Sequence, residues 1–138
     1  MISFVVWGNP VAKGRPRFRR QGEYVKAYTD QRTVNYESLV GIEYVRQCKR
    51  FIFPNNAALR IIITAYMPIP RSTSKRETAR LMTETVPHTK KPDTDNLAKA
   101  VLDGLLGLAY RDDSQISELV AKKYYSLNPR VEVEIDEI

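Results

Sequence analysis

Soft-metal ligands are almost missing from this sequence of 138 residues, which has one cysteine, Cys48, and one histidine, His88. A lone cysteine excludes an internal disulfide framework, and the two residues together fall short of the ligand set of a structural zinc site. Cys48 therefore reads as buried filler in a helix and His88 as a surface residue. Long apolar runs are missing as well. No stretch approaches the ~18 consecutive apolar residues of a membrane-spanning helix. No signal-peptide pattern opens the chain, so the expected setting is cytoplasmic, with no membrane partner and no small-molecule cofactor. Repeats, linkers and low-complexity segments are also absent, which leaves residues 1–138 as one domain long enough to bury a continuous core.

Acid is the charge in short supply. Lys and Arg number 22 against 16 Asp and Glu, a formal net charge of +6. Such an excess favours association with phosphates, and the affinity falls as salt rises because binding releases counterions. The cations are clustered. Residues 13–20, KGRPRFRR, set Lys13, Arg15, Arg17, Arg19 and Arg20 around Phe18, while Gly14 and Pro16 discourage regular structure. An arginine-rich loop beside an aromatic ring suits phosphate contact combined with stacking on a base or sugar. Lys75 and Arg76, with Arg80, form a second basic face, and Lys90 and Lys91 a third group.

The chain order gives the fold class. Residues 2–7, ISFVVW, read as a strand ended by Gly8 and Pro10, and Tyr24–Tyr28 as a short extended piece. Helical spacing runs from Thr33 to about Arg50, capped by Thr29 or Asp30. LRIIITAYM, residues 59–67, is apolar on both faces and predicts a central strand covered on both sides. Ser74 and Glu77 suit a capping box for a short helix ending near Glu84. Ile116–Tyr125 and the strictly alternating RVEVEIDEI predict two more strands joined by a hairpin turn at Asn128 and Pro129. The order predicts an α+β domain, a mixed β-sheet with helices packed on one face.

Chemistry concentrates in residues 91–115, KPDTDNLAKAVLDGLLGLAYRDDSQ. Asp93 and Asp95 flank one residue at the start of an apolar helix, in which Asp95 is the expected N-cap and Gly107 the expected stop. Asn96, Lys99 and Asp103 fall on its polar side, with Lys99 one turn beyond Asp95. Asp112 and Asp113 follow as an adjacent pair. Two readings of these acids stand side by side: capping and turn formation, or ligands for a hard cation such as magnesium. In the second, a lysine one turn away stabilises charge on a phosphate.

KPDTDNLAKAVLDGLLG and YRDDSQI resemble the signature of the RusA family of Holliday junction resolvases, and the N-terminal PVAKGRPRFRR and YTDQRTVNYE extend the likeness over most of the chain. The resemblance implies a RusA-like fold and a magnesium-dependent endodeoxyribonuclease, with manganese able to substitute. The substrate it implies is branched DNA, chiefly four-way junctions in recombination and repair, cut to a 5′-phosphate and a 3′-hydroxyl. Asp93, Asp95 and Asp113 are then the catalytic metal ligands, Asp112 an additional acid, and Lys99 the lysine required for cleavage. A homodimer is expected too, because a four-way junction is cut on two opposing strands. Its contact surface is either a strand edge or the apolar group Leu106, Leu108, Ala109 and Tyr110. A flap or single-strand nuclease of broader specificity, and a non-catalytic branched-DNA binding module of the same fold, are the alternatives.

Overall fold

In a computed structural model that describes residues 1–138, the most apolar run of the sequence becomes the interior of a sheet. In chain order the strands are β1 (Ile2–Trp7), β2 (Arg17–Gln21), β3 (Tyr24–Tyr28), β4 (Leu59–Pro68), β5 (Ile116–Ser126) and β6 (Arg130–Glu137). The helices are α1 (Gln31–Cys48), α2 (Lys75–Leu81) and α3 (Thr94–Leu105). Four strands pair in the order β1, β6, β4, β5, with β6 antiparallel to both neighbours and β5 parallel to β4. A parallel pair needs a crossover, and the segment carrying α2 and α3 supplies it. The fold is the expected α+β mixed sheet. Its core is made by Phe4, Val6, Ile61, Ile63, Val133 and Ile135 from the sheet against Tyr36, Val40, Tyr44, Leu97, Val101 and Leu105 from α1 and α3.

Several local expectations are corrected. The opposite face of β4 is only half covered, because Ile62 and Tyr66 point away from the helices. β5 and β6 do not form a hairpin: they lie on either side of β4, so residues 127–129 span a strand. The arginine-rich segment is not irregular throughout, since Arg17–Gln21 pairs antiparallel with Tyr24–Tyr28 as a separate two-stranded ribbon. α3 begins two residues earlier than expected, with Asp93 and not Asp95 at the N-cap, and its last helical residue is Leu105. Gly107 is, as expected, the stop: it directly follows the C-cap residue Leu106 and takes the left-handed conformation at φ +82°. Leu106 and Leu108 are exposed, whereas Ala109 and Tyr110 are fully buried and offer no contact surface. The sheet edges are partly blocked as well. Val5 on β1 exchanges hydrogen bonds with the Gln47 amide at 3.0 and 2.7 Å, and the His88 backbone N–H donates to the Lys123 carbonyl of β5 at 3.0 Å.

α1 and α3 cross closely because both carry glycine at the contact. A Cβ placed on Gly104 would lie 2.8 Å from the Glu37 carbonyl oxygen and 2.9 Å from the Val40 Cβ. One on Gly41 would lie 3.2 Å from the Gly104 carbonyl oxygen. Helix propensity alone favours alanine at position 104 by about 1 kcal/mol, but overpacking of a tight core contact costs about 1–3 kcal/mol. Gly104→Ala should therefore lower the urea midpoint; a raised midpoint would contradict the close crossing.

Candidate active site

The first acids sit where helix geometry leaves them free. Asp93 occupies the N-cap position of α3 with extended backbone, yet its carboxylate makes no capping hydrogen bond. Instead it faces the Lys91 ammonium at 3.3 Å, an exposed pair worth no more than about 1 kcal/mol and easily exchanged for another cation. Asp95 lies in the first turn, where the unpaired N–H groups of the helix favour negative charge. The approach to this end is clamped from the sheet. Lys123 of β5 donates from Nζ to the carbonyls of Lys90 and Pro92, both at 2.7 Å. A second clamp lies upstream, where Glu84, at φ +63°, bonds the Arg130 guanidinium at 2.8 Å and the Ser126 hydroxyl. The guanidinium lies 4.0 Å from the Tyr66 ring centre and 5.7 Å from that of Trp7. Glu84, with the neighbouring Arg130 as the main cause, is held below the usual carboxylate range.

The adjacent pair divides its roles. Asp112 caps a single turn of 3₁₀ helix at Asp113–Gln115, accepting the Ser114 N–H at 2.9 Å, and that bond holds its carboxyl below the usual range. Gln115 ties the same turn to the carbonyls of Pro54 and Ala57 at 2.9 and 3.2 Å. Asp113 is left facing outward, beside Tyr110. The Tyr110 phenol donates to the Leu102 carbonyl at 2.8 Å, and burial, followed by the neighbouring Asp113 carboxylate, pushes its pKa up.

One cleft of about 660 Å³ runs along α3 and the inner face of β5, lined by Asp95, Lys99, Asp103 and Asp113 with Leu102 and Leu119 among its apolar walls. The expected residues Asp95, Lys99 and Asp113 thus share a groove, but not a point. Asp95 and Leu102 are seven residues apart in the helix, roughly 10 Å along its axis, and Asp113 lies at the Leu102 end. Accordingly, no three of the Asp, Glu, His and Cys side chains in one chain converge closely enough to hold an ion. Asp103, which sequence reasoning left as a polar-face residue, joins Asp113 at that end.

The chain matches the model of the family described as Endodeoxyribonuclease RusA over residues 8–136. The chain belongs to the RusA endodeoxyribonuclease family. It is also 34% identical over 137 residues, covering 99% of this chain and 96% of the relative, to the Uncharacterized protein YqaN of Bacillus subtilis (strain 168).

On this RusA scaffold the expected basic residues separate into two kinds. Arg15, Arg17, Arg19 and Arg20 are exposed, as are Lys75 and Arg76 on α2 and Lys90 and Lys91 before α3. None of these except Lys91 forms an ion pair with an acid. Lys13 differs. Its Nζ reaches Glu37 on α1 at 2.6 Å and Asp103 on α3 at 2.9 Å, with only 18% of its side chain exposed. Burial opposes its charge, but the hydrogen bonds to Glu37 and Asp103 overcome that and hold its pKa above the ordinary lysine value. Its backbone N–H donates to the Asn96 carbonyl at 2.9 Å, and the Gly14 N–H to the Thr33 hydroxyl at 3.0 Å. A Cβ at 14 would meet the Asp30 carboxylate at 2.3 Å, so the side chain that caps α1 would have to move. His88 is half-buried rather than on the surface, its ring centre 4.7 Å from that of Tyr125, and burial followed by the nearby lysines lowers its pKa. Signals for the missed residues were present: Lys123 is a charge at an inward position of an alternating strand, and Lys13 precedes a glycine in an otherwise solvated cationic run.

Lys13→Met would leave Glu37 and Asp103 facing each other with no cation between them, at a cost of about 3 kcal/mol, the low end for a broken buried ion pair because all three side chains keep some exposure to water. The slope of log affinity for DNA against log salt should stay unchanged in this variant, whereas Arg17→Ala should reduce it by about 0.9. An equal reduction by Lys13→Met would place Lys13 among the phosphate contacts instead.

Proposed function

We propose that this protein is a magnesium-dependent, structure-selective endodeoxyribonuclease that resolves four-way DNA junctions by paired cleavage, acting as a homodimer. The observation that carries the proposal is the shared cleft of Asp95, Lys99 and Asp113, set beside an exposed arginine ribbon in a chain of the RusA family. The donors suit the ion. Asp93, Asp95 and Asp113 offer only carboxylate oxygens, the hard ligands that magnesium or manganese takes, and all three are exposed. When bound, such an ion supplies Lewis-acid charge at the scissile phosphate. The chain's own residues do the rest. Lys99, exposed on the cleft wall, sets a fixed positive charge against a phosphate lying along α3, and Arg15, Arg17, Arg19 and Arg20 hold the neighbouring backbone. Lys75, Arg76, Lys90 and Lys91 offer a second set of phosphate contacts on the approach to Asp93.

The separation of Asp113 from Asp93 and Asp95 supports a dimer more directly than symmetry does. A magnesium ion binds its oxygens at about 2.1 Å, and no three acidic side chains of one chain gather around a common point, so a single chain does not by itself supply all three ligands to one ion. A second copy related by a two-fold axis can bring its Asp113 to the Asp93 and Asp95 end, and the reverse exchange then completes a second site. Two composite sites match two opposing incisions.

Asp95→Asn and Asp113→Asn should each reduce junction cleavage by about a thousandfold or more, as expected for loss of a metal ligand at a phosphoryl centre. Junction affinity should be retained or rise, because negative charge near the phosphates is removed. Cleavage near the wild-type rate in either variant would overturn the site assignment.

A further inference from the structure

The β2–β3 ribbon is exposed along its entire length, and its two faces differ in chemistry. Cross-strand pairing places Arg17 opposite Tyr28, Arg19 opposite Lys26 and Gln21 opposite Tyr24 on one face. On that face the Arg19 guanidinium lies 5.3 Å from the Tyr28 ring centre. The other face carries Phe18 opposite Ala27 and Arg20 opposite Val25. Arg20 donates from Nε to the Gly22 carbonyl at 3.2 Å, drawn toward the turn, so the rest of this second face is apolar. Phe18 and Val25 are each 68% exposed.

An exposed aromatic on a ribbon that buries nothing contributes little to folding, and water is a poor setting for it. Its neighbours say what covers it. Three cations on the reverse face and Arg15 at the base direct the ribbon to a polyanion, and the side chain between them is apolar, flat and free. Apolar side chains carried into DNA on a cationic arm enter between base steps and unstack them. The ribbon also springs from the edge of the cleft, because Lys13 and Gly14 at its base are bonded to Asn96 and Thr33.

We propose that Phe18 is a wedge that stacks on an unpaired or splayed base at the branch point, and that it sets the preference for branched over linear DNA. The cationic face, Arg17, Arg19 and Lys26, grips the phosphates of either substrate. Sequence recognition is not required, since every base has a face to stack on. This inference rests on the proposed action on branched DNA and goes beyond it by assigning discrimination to one side chain outside the cleft.

The test uses the full chain in EDTA, so that no cleavage intervenes, with a four-way junction carrying 2-aminopurine next to the branch point and a linear duplex of the same length. The wild-type chain should raise the 2-aminopurine fluorescence on the junction and bind the junction in preference to the duplex. Phe18→Ala should lose the rise and lower junction affinity roughly tenfold, the scale of one base–aromatic stack, with duplex affinity unchanged. Phe18→Trp, which keeps a stacking surface, should preserve both effects. A fluorescence rise and a junction preference that survive Phe18→Ala would overturn the wedge while leaving the action on junctions intact. No junction preference in the wild-type chain would overturn that reading and the wedge with it.

Discussion

One ammonium group holds together the three parts on which function depends. Lys13 lies at the base of the arginine ribbon, and its contacts with Glu37 and Asp103 join that base to α1 and to α3. Two carboxylates on adjacent helices repel unless a cation lies between them, and a cation this far from water is costly unless carboxylates surround it. Each party therefore requires the others. The glycine contact at Gly41 and Gly104 brings the helices near enough for one side chain to span them. The same interaction fixes where the ribbon leaves the fold, at the border of the cleft along α3. An arm anchored elsewhere could still attract DNA, but not beside Asp95 and Lys99.

The shape of that cleft is the second constraint. It is long because α3 and β5 lie side by side in a crossover, with the Asp93 and Asp95 loop at one end of the helix and the Asp113 turn at the other. Each end is held rigidly: Lys123 clamps the backbone before Asp93, and Gln115 ties the Asp113 turn to residues 54 and 57. Stiff supports at both ends make it costly for the acids to meet by rearrangement within one chain. In the proposed dimer, association of two chains would achieve the same meeting without deforming either, and would give the two sites that a two-fold symmetric junction requires.

Much of the fold was legible because apolar spacing reports burial directly. The inward residues of β1, β4 and β6 and the apolar stripe of α3 fall where alternation and helical spacing place them. What was not legible depended on contacts distant in sequence. Asp95 looked like the N-cap because it precedes the apolar stripe, but the helix starts at Thr94, so Asp93 takes that position. Tyr110 looked like excess surface, yet its hydroxyl reaches back to Leu102 and its ring fills the core. The cationic loop looked uniform, whereas pairing with Tyr24–Tyr28 sorts its side chains onto two faces and the helix acids withdraw Lys13 from solvent. The candidate acids could be named from their order in the chain. Their division between the two ends of a groove could not, because that needs the length and direction of α3.

The central claim is that a working site takes Asp95 from one chain and Asp113 from another, and subunit mixing tests it most directly. Asp95→Asn and Asp113→Asn proteins, each expected to be inactive alone, are unfolded and refolded together, then supplied with magnesium and a strand-labelled four-way junction. Mixed dimers contain one site with both substitutions and one with neither, so incision of one strand per junction should return, at roughly the share of mixed dimers expected from random pairing. Mixtures as inactive as the separate variants, although light scattering shows dimers of mixed composition, would contradict the claim and return the three acids to a single chain.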